Sequence, residues 1–207
     1  MKTVVIYIHG KGGDAREAEH YRLLFPNCDV VGLDYKAQTP WEAKEEFPAL
    51  IDALRRGYGT VLLIANSIGA HFAMQSLTDR QIDRAYLISP IVDVERLILD
   101  MLAWAGVSED ALREKREIAT PFGETLSWDY LCYERAHPAQ WRVPTEILYG
   151  ERDSMISRDT IQAFADRIGA GLTVMDGGEH WFHTEEQMAF LDAWLIRLNQ
   201  SAAHRNG

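Results

Sequence analysis

Cysteine is scarce in this sequence. Cys28 and Cys132 are the only two, far apart and in no paired C-x-x-C spacing, so neither a disulfide framework nor a thiolate metal site is expected. Basic residues are the minority, with 21 Lys and Arg against 31 Asp and Glu. The formal charge of −10 would repel a nucleic-acid backbone or an anionic membrane surface, so neither is an expected partner. Long apolar runs are missing too. The N-terminal run at 4–8 holds five apolar residues, below the roughly 7–15 of a secretory leader and far below a membrane span. A cytoplasmic protein is the expectation. No repeat and no Gly/Ser-rich or Pro-rich linker divides the chain, so 207 residues at 47% apolar composition read as one domain, 1–207.

What is present is an alternation of strand and helix signals. Runs of β-branched, aliphatic and aromatic residues stand at 3–9, 29–33, 60–66, 84–88, 145–149 and 172–175. Helical patterns lie between them. A charged stretch covers 14–24, and Thr39 with Pro40 opens a helix that places Ala43, Phe47, Leu50, Ile51 and Leu54 on one face and ends near Gly57. A third pattern follows Ser67 without a spacer and ends near Asp79. Ser157 caps a helix that turns Ile161, Phe164, Ala165 and Ile168 inward, and a capping box of Thr184 and Gln187 starts the last one, which buries Met188, Leu191, Trp194, Leu195 and Leu198 and frays past Asn199. From about 93 to 141 there is helical periodicity with no strand signal, beginning with Val94, Leu97, Ile98, Met101 and Leu102. The spacing predicts an α/β fold: one mostly parallel six-stranded sheet, helices on both faces, and a helical insertion after the fourth strand. Ligands of such sheets bind at the carboxyl ends of the strands.

One pentapeptide sits where chemistry is expected. Ala65, Asn66, Ser67, Ile68 and Gly69 follow an apolar strand and open a helix, which matches small-x-Ser-x-Gly. The residues two before and two after the serine must be small for strand and helix to pass closely, and Ala65, Gly69 and Ala70 are. The competing reading is a plain helix N-cap, with Ser67 accepting bonds from the first turn.

The strand–serine–helix motif resembles the nucleophile elbow of the α/β-hydrolase family, and the likeness runs from about residue 4 to 198, in a compact version without the two leading strands of larger members. The resemblance implies a three-layer α/β-hydrolase fold with a helical cap over about 93–141. It also implies a triad in the order Ser, acid, His. Gly150, Glu151, Arg152 and Asp153 follow the strand at 145–149, in the place of the family's Gly-x-x-Asp, which makes Asp153 the expected acid; Glu151 and Asp159 are its rivals. Asp176, Gly177, Gly178, Glu179 and His180 follow the last strand, which makes His180 the expected base, with His183 beside the last helix as the alternative. His9 and Gly10 resemble the family's His-Gly signature, so the backbone N–H groups of Lys11 and Ile68 are the expected oxyanion donors, with Gly12 as an alternative to Lys11. Alanine at 65 replaces the commoner glycine.

These residues point to a serine hydrolase that acts on carboxylic esters of small to medium apolar groups through an acyl-Ser67 intermediate, with no metal or organic cofactor. Trp104, Phe122, Trp128, Tyr130, Tyr133 and Trp141 concentrate large rings in the expected cap, and Trp104, Trp128, Tyr130 and Tyr133 are the candidate pocket residues; core packing is the other use of such rings. The expected partner is a small-molecule ester. Thioester or amide hydrolysis uses the same groups, and a hydrolase-like binding module without turnover is the reading from another class.

Overall fold

The run from Thr3 forms β1 (Thr3–Ile8), buried from Val4 onward, as suits a strand covered on both faces. In this computed structural model, residues 2–79 and 81–205 are described; Met1, Arg80, Asn206 and Gly207, part of the domain expected over 1–207, lie outside the described residues. The remaining strands of the main sheet are β2 (Asp29–Gly32), β3 (Thr60–Asn66), β4 (Arg84–Ile88), β7 (Thr145–Gly150) and β8 (Gly171–Met175). Their order is β2-β1-β3-β4-β7-β8, and every neighbouring pair is parallel. The chain leaves β1 to one side for β2 and returns to the other for β3. That reversal opens a crevice at the carboxyl ends of β1 and β3, where loops diverge in opposite directions.

Alternation along the strands supplies two apolar layers. Val5 and Tyr7, with Ile64, Tyr86, Ile88 and Leu148, share one cluster with Tyr21 of α1 (Ala18–Tyr21) and with Leu191, Trp194 and Leu195 of α8 (Glu185–Arg205). Val4, Ile6 and Ile8 point the other way and are equally buried, and Ile8 meets α3 (Ser67–Ser76), which packs beside α2 (Pro40–Arg55). Thr39 and Glu42 form the capping box of α2, with Pro40 in its first turn. Ser157 caps α7 (Arg158–Ile168).

By packing, the chain divides into two units, the first made of residues up to Ile91 and from Gln140 onward, the second of Val92–Ala139. The second contains α4 (Val94–Trp104), α5 (Glu109–Lys115) and α6 (Trp128–Ala136). The guanidinium of Arg135 ties them, reaching Glu95 at 2.7 Å and Glu109 at 2.6 Å. The expectation of no strand in this segment is corrected here: β5 (Glu117–Ala119) and β6 (Thr125–Ser127) pair as an antiparallel hairpin. Three-residue strands carry too little alternation to be told from a helix by period, and Ile118 and Leu126 are the only apolar pair in register.

Two further boundaries differ from the sequence reading. The helical stretch at 14–24 breaks into a 3-10 turn (Ala15–Glu17), opened by the capping box of Asp14 and Glu17, and the single turn of α1. The last helix continues to Arg205 instead of fraying at Asn199, since adding residues to an existing helix requires far less than nucleating one. At its start, Thr184 accepts the Gln187 N–H at 3.2 Å as expected, while the Gln187 side chain reaches back one residue further, to the N–H of His183.

Helix and strand pass closely at Gly69, where an added Cβ would lie 2.1 Å from the His9 carbonyl oxygen. Gly69→Ala is therefore expected to lower stability by about 1–3 kcal/mol, read as a drop in melting temperature. Gly57→Ala is the control, since a Cβ there meets nothing within 4 Å, and its melting temperature should not fall.

Candidate active site

Asn66 ends β3, and Ser67 begins α3 with φ +51. A non-glycine residue in the left-handed region stores about 1–3 kcal/mol and persists only where its surroundings enforce it. Enforcement comes from three sides: Ala65 is buried, Gly69 sits on the His9 carbonyl, and a Cβ at Gly10 would lie 3.2 Å from the Ser67 Cβ. The capping alternative for Ser67 does not hold. The N-cap is Asn66, which makes no side-chain cap bond, so the first N–H groups of α3, that of Ile68 among them, have neither an intrahelical acceptor nor a side-chain cap.

The Ser67 Oγ is 2.8 Å from His180 Nε2, and His180 Nδ1 is 2.7 Å from Asp153 Oδ2. A carboxylate only accepts, so Nδ1 carries the proton toward Asp153 and Nε2 of the neutral ring is left to accept from the serine hydroxyl. The Asp153 side chain has 0% exposure and that of His180 18%. Burial of a carboxylate requires partners, and the other oxygen of Asp153 accepts the backbone N–H of Met155 at 2.8 Å and of Ile156 at 3.1 Å. The turn that presents Asp153 is closed by the Asp153 N–H on the Gly150 carbonyl.

The loops after β7 and β8 are locked to each other. Arg152 N–H donates to Gly178 O at 2.8 Å and Glu151 N–H to Met175 O at 3.0 Å. An added Cβ at Gly150 would fall 2.5 Å from Glu179 O, so only glycine lets the two backbones pass this closely. The carboxylate of Glu151 is used differently: it accepts the N–H of Gly177 at 2.8 Å and so braces the loop that carries His180. Asp159 lies in the first turn of α7. His183 stacks on Trp181 at 4.5 Å, donates Nδ1–H to the Trp181 carbonyl and lies 3.8 Å from Glu179, while the partner of the Ser67 hydroxyl is His180.

At the end of β1, Gly10 to Gly13 form a tight turn, with Gly13 N–H on Gly10 O at 3.2 Å and Gly12 at φ +78, the positive torsion that the third residue of such a turn needs. Lys11 and Gly12 are both on this turn. Tyr35, which carries no signal in the sequence, reaches it: its hydroxyl donates to His9 O at 2.8 Å and its ring stacks on the imidazole at 4.3 Å.

Trp104, Trp128, Tyr130 and Tyr133 all belong to the second unit. Trp104 is 55% exposed and meets Phe122 edge to face, Tyr133 stacks on His137 at 4.2 Å, and burial pushes the Tyr130 hydroxyl pKa up. Trp141 belongs to the first unit, where it is buried and donates to Thr145 Oγ1 at 2.7 Å, a core role. Among the described residues, no group of three or more His, Cys, Asp and Glu could hold a metal ion, and no helix is long and apolar enough to cross a membrane.

No protein-family model matches the sequence, and no curated protein does. Solved structures do. Est1E from Butyrivibrio proteoclasticus superposes with TM-score 0.75 at 15% identity, over 97% of this chain and 88% of that one. Alpha/beta hydrolase domain-containing protein 10 from mouse gives 0.77 at 15%, over 96% and 90%. The Pyrococcus furiosus esterase Pf2001 gives 0.63 at 20%, over 96% and 81%. At these identities the likeness establishes the fold.

The geometry predicts a strongly deshielded Nδ1 proton on His180 in the proton NMR spectrum, because a short bond to a buried carboxylate withdraws density from it. That resonance should disappear in Asp153→Asn and survive in Glu151→Gln. The opposite pattern would assign the imidazole to the wrong carboxylate.

Proposed function

We propose that this chain, which has the α/β-hydrolase fold, is a serine hydrolase that cleaves carboxylic esters of small to medium, apolar character. The observation that carries the reading is the chain of two short hydrogen bonds, 2.8 Å from Ser67 to His180 and 2.7 Å from His180 to Asp153. A serine hydroxyl is a weak nucleophile near neutral pH until a base takes its proton as the bond to carbon forms. His180 accepts that proton on Nε2. Asp153 keeps the ring in the tautomer that can do so and stabilises the imidazolium, remaining ionised itself.

Charge developing on the carbonyl oxygen is met by the backbone N–H of Ile68 at the start of α3 and that of Lys11 on the loop after β1, donors that need no rearrangement as the reaction proceeds. The imidazolium then gives its proton to the leaving alcohol, the ester C–O bond breaks, and the acyl group stays on Ser67. Water, deprotonated by the same imidazole, attacks the acyl carbon; the acid leaves and Ser67 regains its proton. No step in this sequence calls on a metal or organic cofactor.

Aromatic residues Trp104, Trp128, Tyr130 and Tyr133 supply the apolar surface proposed to receive the acyl or alcohol group. Two free thiols, Cys28 and Cys132, go with a reducing, cytoplasmic setting for this reaction.

A fluorophosphonate probe is expected to label the wild-type protein on Ser67, located by peptide mass spectrometry, and to leave Ser67→Ala unlabelled. An unlabelled wild type would favour a binding module. With p-nitrophenyl esters, Asp153→Asn should lower kcat by roughly 10⁴-fold, as loss of the orienting carboxylate does in serine proteases, while Glu151→Gln retains most activity. Across a chain-length series, turnover should be best for short and medium acyl groups. Est1E was solved with ferulic acid bound, so a feruloyl ester belongs in the same panel. Activity confined to long-chain emulsions would contradict the proposed substrate class.

A further inference from the structure

The loop after β1 is held by a residue outside the proposed triad and outside both oxyanion segments. The carbonyl of His9 lies one residue beyond the last residue of β1, and the Tyr35 hydroxyl donates to it at 2.8 Å. On its other side the same oxygen meets Gly69 of α3, close enough that no side chain fits between. The His9–Gly10 peptide is therefore clamped between Tyr35 and the elbow.

The next peptide is clamped as well. The carbonyl of Gly10 accepts from His9 Nδ1 at 2.8 Å and from Gly13 N–H at 3.2 Å. In a trans peptide the N–H points opposite to the carbonyl, so fixing Gly10 O fixes the direction of the Lys11 N–H. Gly10 between these two peptides is the residue with the widest torsional freedom, and without both restraints the Lys11 N–H could swing. The imidazole that supplies one of them is itself held flat against the Tyr35 ring, with centroids 4.3 Å apart and 17° between planes. Phe47 and Phe72 meet the Tyr35 ring edge-on at 5.0 and 6.4 Å and keep it in place.

We infer that Tyr35 is a positioning residue for the oxyanion site, its hydroxyl setting the His9–Gly10 peptide and its ring setting the His9 imidazole, which together aim the Lys11 N–H at the developing charge. The inference rests on the serine hydrolase reading and assigns the first oxyanion donor to Lys11 rather than Gly12. Burial, and after it the negative charges of Glu17 and Glu46, raise the Tyr35 pKa, so the hydroxyl keeps its proton and remains a donor.

Tyr35→Phe retains the stack and both edge contacts and deletes only the hydroxyl. Its kcat on a p-nitrophenyl ester should fall about tenfold, less than the roughly 10²- to 10³-fold for loss of an oxyanion donor itself, with KM and melting temperature close to wild type. Affinity for a trifluoromethyl ketone, whose hemiketal oxygen mimics the oxyanion, should fall by the same factor. His9→Phe, which keeps a ring against Tyr35 but loses the bond to Gly10 O, provides a second variant with the same expected split between kcat and KM. An unchanged kcat in Tyr35→Phe, or a loss seen only in KM or only as unfolding with kcat preserved in the folded fraction, overturns the role of Tyr35 while Ser67 labelling still stands. A wild type that neither labels nor turns over removes the hydrolase reading and this role together.

Discussion

A carboxylate with no solvent exposure cannot be left short of partners, and the arrangement around Asp153 is organised by that requirement. One oxygen is satisfied by two successive backbone N–H groups just beyond it in the chain, those of Met155 and Ile156, and the other by the imidazole of His180. The histidine arrives there because the loop after β8 crosses the loop after β7 at a glycine on each side, Gly150 and Gly178, stitched by backbone bonds from Glu151 and Arg152. The reach of His180 to Ser67 then follows from the sheet. Strand β4 separates β3 from β7, so the serine and the acid stand two strands apart and the imidazole spans the gap from the edge.

A second constraint operates at the crevice between β1 and β3. Ser67 holds a left-handed backbone that alanine or glycine neighbours permit and a close-packed helix enforces. The same contact places the carbonyl of His9 under α3, so the strained turn and the loop after β1 share one oxygen atom as their common fixed point. Strain at the serine and order in the neighbouring loop are thus two sides of a single packing arrangement.

Much of this was legible in the sequence, for identifiable reasons. Strands β3 and β4 fall where their apolar runs begin and end, because Ser67 on one side and Ser89-Pro90 on the other interrupt the pattern sharply. The elbow was readable since its small residues are demanded by sterics, and Asp153 and His180 through the resemblance of their strand-end positions to the family's pattern. What was not legible depends on contacts remote in sequence. Tyr35 follows an unremarkable edge strand, and its bond to His9 spans 26 positions. The bracing of Gly177 by Glu151 likewise spans 26 positions, and no local pattern distinguishes it. The hairpin at Glu117–Ser127 escaped because three residues of alternation are shorter than the window in which period has meaning.

The second unit is one uninterrupted stretch, Val92–Ala139, joined to strands β4 and β7, which lie side by side in the sheet. Ser67, Asp153, His180, Lys11, Ile68 and Tyr35 are all encoded outside it. None of the six strands of the main sheet is drawn from it. Sequence change in this one stretch therefore leaves the residues around Ser67 as they are.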